Sequence, residues 1–496
     1  MTLELKHGFW QLYELNTVLA ARLARDPDAD PARITADWAR RWFSTDPATV
    51  HAITSAMALS RDAVTHGLYI GPYADQQVKA LGLEPPPMMW IFEWDILTGD
   101  SAVLDIIYSV SRDELELAIS EGDDAVATAL RMRELVRGSD AATWRDPALR
   151  TALVDTLDYE VNTLEMLAAY RGMVLRHGQW LDTGSDEARA AWAEARDRFD
   201  AAALSHERRY GGNVDLPAYN LAAARLGEER AALDLPMAWA ARVALVLVMT
   251  WLLLGALGRV QSARALWVAG TRPWRAGEQV VGLDRRGKTL LVAVPLLALV
   301  VSRGIFTWFL APAHLLVTGL GWLVLAGFVW LSTRRVSPWP VVAAVGGAVL
   351  LRVLLLLAVL AVRGPGGYWF AFWTEPAQRT AYVVVSFVLF GWVLAAAAWA
   401  LAGQSGGLRV AAFTLGVVGG SLTAVGLLLA VVGLEDALTV WNDQLALLPW
   451  GLSRILGITT YLGIPVALPA WLAGAGGVVC AAAAGLWLLG RRPAPS

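Results

Sequence analysis

Residues Met88–Leu97 read MMWIFEWDIL: the rings of Trp90, Phe92 and Trp94 are interleaved with the carboxylates Glu93 and Asp95, behind the prolines Pro85 to Pro87. Ring faces stack on the apolar faces of sugars and carboxylates handle a glycosidic oxygen, so these residue types together are those of a carbohydrate site. The spacing argues against a complete catalytic pair. On a strand Glu93 and Asp95 point the same way, about 7 Å apart along one edge, whereas glycosidase carboxylates flank the scissile bond from opposed positions. On a short helix between the prolines and Gly99 the two diverge. The pattern favours a packed aromatic segment. Its functional alternative is one carboxylate lining a sugar cleft, with Trp90 or Trp94 stacked on the glycan.

Arginine inside apolar sequence is the second chemical signal. Arg303 and Arg352 fall within runs long enough to cross a bilayer, and no Asp or Glu lies inside any of those runs. A mid-membrane charge costs about 3 kcal/mol on insertion scales, so each must face the bundle interior or a wet cavity. Such a cation suits an anionic lipid head-group or substrate. The plainer account is an arginine that snorkels or bonds backbone carbonyls.

Spacing excludes much other chemistry. The six histidines form no HxxxH or HxH pair, and no HExxH motif is present. Asp26, Asp28 and Asp30 imitate the opening of a calcium loop, but Pro31 stands where that loop needs Gly and Asp37 where it needs a bidentate Glu. Asp30 as N-cap with Pro31 as first helical residue is the better account. Asp158, Glu160 and Glu165 read as polar helix faces, not a metal cluster. No metal or cofactor is implied.

The elements that must position these residues divide by charge. Residues 1–235 hold 23 Lys and Arg against 38 Asp and Glu, whereas 236–496 hold 18 against 6. An acidic soluble domain joined to a membrane domain with basic loops has this asymmetry. The basic residues lie between apolar spans and form no stripe on a soluble face, so the partner is a lipid bilayer and not nucleic acid. Cys480, the single cysteine, excludes an internal disulfide.

Seven runs are long and apolar enough to span, near 236–258, 289–310, 313–332, 339–362, 380–402, 408–433 and 465–489. The second and third, separated by Ala311 and Pro312, predict a tight helical hairpin. Arg259, Arg264, Arg272, Arg275, Arg285, Arg286 and Lys288 all lie between the first two spans, which places that loop and the C-terminus in the cytoplasm of a multi-pass plasma-membrane protein. Residues 1–235 then lie outside. The start MTLELKHGFWQLYELN has no apolar signal region, so a fragment or mis-started reading of a longer exported protein is expected. On the outer side, RGPGGYWFAFWTEPAQR reads as a loop whose rings form an interfacial belt or a sugar-stacking lip. LEDALTVWNDQLALLPWGL reads as an amphipathic surface helix.

The soluble half reads as all-helical. Helices are predicted over 9–25, after Asp30 and Asp46, from a Ser111–Glu114 capping box to Gly138, and over 147–180, 186–210 and 217–232. The whole chain is therefore all-α, a helical soluble domain followed by a polytopic helix bundle.

The stretch YELNTVLAARLARDPDADPARITADWARRWFSTDPATVHAITSAMALSRDAV resembles the helical C-terminal domain of bacterial α-glucuronidases and related glycoside hydrolases. The likeness rests on Leu15 and Asn16, Arg22 to Ala24, the Asp26 to Asp28 turn, Asp37 with Trp38, and Ser60 with Arg61. It covers residues 10–75 and fades towards 180. The resemblance implies a sugar-directed exported protein whose catalytic carboxylates lie in an upstream barrel, so no catalytic residue carries over. The expected function is the membrane-anchored C-terminal part of a carbohydrate-active protein, with a polysaccharide or oligosaccharide as partner. A transporter or lipid-linked-substrate protein with an anion site at Arg352 and Arg303, or a structural or sensory anchor, are the alternatives.

Overall fold

The computed structural model describes residues 10–72, 108–109, 111–219, 221–307, 312–374, 376–432 and 468–490. These are helical throughout, with one isolated antiparallel bridge between Ser44 and Trp144. The chain divides into two compact units, the first ending at Glu229 and the second running from Arg230.

The first unit holds α1 (Trp10–Arg25), α2 (Pro31–Trp42), α3 (Pro47–Leu68), α4 (Leu115–Arg137), α5 (Pro147–Thr183) and α6 (Asp186–Tyr210). Three helices open with one device, an aspartate cap followed by proline. Asp30 accepts from the Ala32 N–H, Asp46 from Thr49 and Asp146 from Ala148. Proline gives up nothing in the first turn, where its missing N–H would be orphaned anyway. The predicted capping box at Ser111 does not form: α4 begins through a 3-10 turn over Arg112–Glu114, and the Ser111 hydroxyl makes no cap bond. Gly138 ends α4 as predicted, and a left-handed Gly184 ends α5.

Helix α5 is the spine of this unit, packing on both α4 and α6 and touching α3. Around it lie the stacked pair Trp180 and Trp192, with centroids 5.2 Å apart, and the edge contacts of Phe43 with Trp38 and Trp144. At its centre Arg171 is fully buried. Its guanidinium donates to the carbonyls of His66 and Tyr69 at 2.7 Å, Gly67 at 3.2 Å and Ala118 at 3.3 Å. Two of these, from His66 and Gly67, are end carbonyls of α3 and a third belongs to its cap residue Tyr69, and no further helical turn can satisfy them. Glu121 stands 4.0 Å from the same guanidinium and accepts the Gly71 N–H. Burial pulls the Arg171 pKa down to about 10, against the opposing pull of Glu121 and Asp123, so the group stays charged at neutral pH.

The second unit holds most of α7 (Ala222–Ala256), then α8 (Gln261–Thr271), α9 (Ala276–Val280), α10 (Arg285–Thr307), α11 (Pro312–Ser332), α12 (Trp339–Thr374), α13 (Pro376–Ala402), α14 (Gly407–Val432) and α15 (Leu468–Leu489). Among the described residues, five helical stretches are long and apolar enough to cross a membrane, Gly227–Ala256, Arg285–Ile305, Trp339–Tyr368, Gly407–Ala424 and Ala470–Leu489. Trp322–Ser332 and Val388–Ala402 are shorter apolar helices in the other two expected spans. Outward-facing Val246, Leu247, Leu297 and Trp471 are all more than 60% exposed. In water that surface is a liability, while in a bilayer it is the contact with lipid. This is a membrane protein.

Three sequence expectations change. Helix α7 runs unbroken through Pro236, so no break divides the soluble segment predicted over 217–232 from the first span. Helix α10 packs mainly on α12 and α11 mainly on α14, so the expected hairpin of the second and third spans is not the packing unit. The outer loop after the fourth span is instead a continuation of α12, with Tyr368 and Phe370 buried, which removes those two rings from a belt or a sugar-stacking lip.

Replacing Arg171 by methionine keeps the volume and strips four carbonyls of their donor. Losing one partner of a buried charged cluster costs about 3–5 kcal/mol. Thermal unfolding of the full chain in detergent is expected to show a midpoint many degrees lower, and an unchanged midpoint would show that the carbonyls find other donors.

Candidate functional site

Three places on the chain gather chemistry, and the first is a groove between α1 and α2. The turn Asp26–Asp30 brings the two helices together over a cleft of about 620 Å³. Arg22, Arg25, Arg33 and Arg41 line it, with Glu14, Asp37 and the aspartates of the turn. Trp38, almost wholly buried, forms part of its floor with Val18 and Ile34. Most carboxylates here are engaged. Asp30 caps α2, Asp37 pairs with Arg40 at 2.8 Å, and Glu14 lies 3.5 Å from Arg41. The sequence marked these aspartates as turn and cap residues and missed the cleft, because a groove between two helices leaves no local pattern.

The second place lies on α5 and α6 inside the first unit. His206 Nε2 accepts the Tyr219 N–H at 2.9 Å, which leaves the Nδ1 proton to be donated to Asn162 Oδ1, also at 2.9 Å. Both ring nitrogens are thereby used, and burial lowers the His206 pKa. Tyr159, edge-on to Tyr210, donates to the Pro217 carbonyl. This network ties the loop after α6 to the spine. Beside it in sequence, Glu160 is half-buried, and desolvation pushes its carboxyl up to about 7. The sequence predicts polar helix faces for Asp158, Glu160 and Glu165, but Glu160 lies about 200° round the helix from Asp158 and is half-buried. Asp158 differs from it in accepting from Arg133 and Arg137 at 3.1 and 2.8 Å.

The third place is in the membrane unit. Helix α12 is interrupted at Arg363 (φ −140°) and Gly364 (φ +73°), and restarts at Pro365. A break in a low-dielectric setting exposes end carbonyls on one side and N–H groups on the other, each needing a partner. One helix supplies both. Arg242 on α7 donates from Nε to the Ala361 carbonyl at 2.7 Å and from Nη2 to Val362 at 3.2 Å. Asp234, buried on the same helix, accepts the Gly366 N–H at 2.7 Å. Eight residues separate the two, about 12 Å along the axis. Glycine is required twice, since a Cβ at Gly364 or Gly366 would overlap Asp234.

Arg242 lies inside the first expected span and Asp234 two residues before it, yet neither stands out in a search for charge at mid-span. The signal available was their spacing on one helix together with the RGPGG break. Of the two arginines that did stand out, Arg303 is buried on α10, and Arg352, half-buried on α12, lies over the Phe390 ring of α13 at 5.7 Å. That cation–π contact fits the structural account of Arg352. The carbohydrate candidates Trp90, Glu93, Trp94 and Asp95 lie outside the described residues, as does the expected surface helix over 434–452. Among the described residues no three His, Cys, Asp or Glu side chains could hold a metal ion. Comparison with protein-family profiles, curated proteins and solved structures gave no match.

Two outcomes follow. Because Glu160 titrates near 7 when folded and near 4.5 when unfolded, folding takes up a proton between those values. Its contribution favours the fold at acidic pH and is lost as pH rises through 7. Glu160→Gln is expected to match the parent at pH 5 and to be more stable by about 2 kcal/mol at pH 8, a difference that paired melts at the two values would read. Gly366→Ala is expected to cost about 2 kcal/mol or more by forcing Asp234 off its N–H. A lowered melting midpoint of the membrane unit supports that, and parental stability contradicts it.

Proposed function

We propose that this chain holds a helical, carbohydrate-recognising domain at the outer face of the plasma membrane, as the accessory part of carbohydrate-active machinery and not as a glycosidase in its own right. One coincidence supports the reading. Of the residues that carry the likeness to α-glucuronidase helical domains, Arg22, Asp26, Asp28, Asp37 and Trp38 also line the cleft.

Guanidinium groups bind a carboxylate through two parallel charge-assisted hydrogen bonds, so a cleft with four arginines suits a uronic acid better than a neutral sugar. Most of its own carboxylates sit in turns, caps and ion pairs, which favours binding over proton donation to a leaving group. Trp90 or Trp94 is the proposed stacking ring, with Glu93 or Asp95 as its polar neighbour. The outward placement rests on the cations between the first two spans, which stay in the cytoplasm and put the N-terminal unit on the other side. The full count of seven spans, two beyond the five long apolar stretches, belongs to the same proposal.

The test is a fluorescent oligouronide that cannot cross membranes, added to intact cells displaying the full chain and titrated against purified protein. Saturable labelling of cells is expected. In purified protein, Arg22→Gln with Arg33→Gln should weaken binding at least tenfold, since a charge-assisted hydrogen bond contributes about 1.5–3 kcal/mol. Equal binding of neutral and acidic oligosaccharides, or no effect of the double variant, would sink the proposal, and so would turnover of an aryl glucuronide at enzymatic rates.

A further inference from the structure

The chain between α7 and α10 carries a charge pattern that the fold leaves facing outward. Residues 259–288 contain six arginines and Lys288 against two carboxylates, Glu278 and Asp284. Arg259, Arg264, Arg272, Arg275, Arg285 and Arg286 are all exposed. Among the described residues, Arg275 alone of these forms an ion pair, with Glu278 at 3.1 Å. Unpaired cations at this density repel one another unless an anion lies between them.

The segment is not a loose loop. Helix α8 buries Ala265, Leu266, Ala269 and Gly270 and packs on α12. The backbones of Gly270 and Gly347 approach so closely that a Cβ on either would overlap the other helix. Trp392 Nε1 donates to the Gly270 carbonyl at 2.6 Å, which pins the end of α8 to α13. The opposite face is amphipathic. Trp267 and Trp274 are exposed by 42% and 61%, and Val281 by 81%. Helices long enough to cross a membrane flank the segment on both sides, so it emerges at a bilayer surface.

Tryptophan belongs at the head-group level of a bilayer, and clustered arginine beside it attracts anionic lipid. We propose that residues 259–288 form a rigid docking surface for anionic phospholipid head-groups, with the arginines on the phosphates and Trp267 and Trp274 at the acyl boundary. A soluble polyanion would match the guanidinium groups but leave the exposed indoles and Val281 in water, so the lipid is the better occupant. The proposal is independent of the carbohydrate reading.

The test uses the full chain in neutral detergent, titrated with phosphatidylglycerol, with phosphatidylcholine or with inorganic phosphate. Native mass spectrometry counts the lipids retained and thermal melting follows stability. Phosphatidylglycerol is expected to be retained and to raise the midpoint where phosphatidylcholine does not. The triple variant R264Q/R272Q/R275Q should weaken the anionic-lipid response tenfold or more. Equal responses to the two lipids, an unaltered response in the triple variant, or the same stabilisation by inorganic phosphate would each overturn it. Should the triple variant fail to fold, Arg272→Gln alone, at an exposed position, decides: a threefold weaker response supports the surface and no change overturns it.

Discussion

A helix that ends inside a protein leaves carbonyls pointing at nothing, and burying one of them unpaired costs more than most single contacts return. Both units of this chain meet that constraint in the same way, with an arginine reaching in from another helix. In the first, Arg171 on α5 gathers the end of α3, and with it the chain towards Tyr69. In the second, Arg242 on α7 gathers the end of the first part of α12. Lysine would not serve equally, because a planar guanidinium presents several donors in a fixed fork and stays charged even when burial depresses its pKa. Without these two caps, α3 and α4 would lose their registration on the spine, and α12 could not break where it does.

The break has consequences for the rest of the bundle. A straight α12 would carry Tyr368 and Phe370 further along one axis. The left-handed Gly364 redirects the chain so that both rings are buried, while Arg352 stays on the uninterrupted part, against α13. Asp234 holds the restarted segment by its first free N–H, so a single helix fixes both halves of its neighbour. An aspartate and an arginine at that depth are tolerable because each meets backbone of opposite polarity and need not meet the other.

How far the sequence discloses this depends on the range of the interaction. Caps are local, and Asp30 with Pro31, Asp46 with Pro47 and the stop at Gly138 are legible from neighbouring residues alone. Ser111 shows the limit of that logic: the capping pattern is present, but a 3-10 turn takes the place of the predicted start. Apolar runs are semi-local, so the existence of membrane helices is legible while their pairing is not, as α10 and α11 illustrate by packing on different partners. The cleft between α1 and α2, the carbonyls around Arg171 and the latch at Gly364 join residues from separate elements, and no periodicity encodes such meetings. Arg242 is the instructive case. A charge eight residues from an aspartate on one helix signals a two-point contact only to a reader who also notices the glycines near 364.

Charge in this protein is therefore of two kinds, separated by what surrounds it. Arg171 and Asp234 are buried and Arg242 half-buried, and all three meet backbone at helix ends. The arginines of the cleft and of residues 259–288 are exposed, and in the latter group Arg275 alone has a carboxylate partner among the described residues. Backbone capping removes a charge from the pool available to a ligand, whereas exposed arginine on a rigid platform keeps its donors free and has already lost the backbone entropy that binding would otherwise cost. The recognition proposed for this chain therefore rests on places where arginine is exposed and its helix is fixed, the α1–α2 cleft and α8.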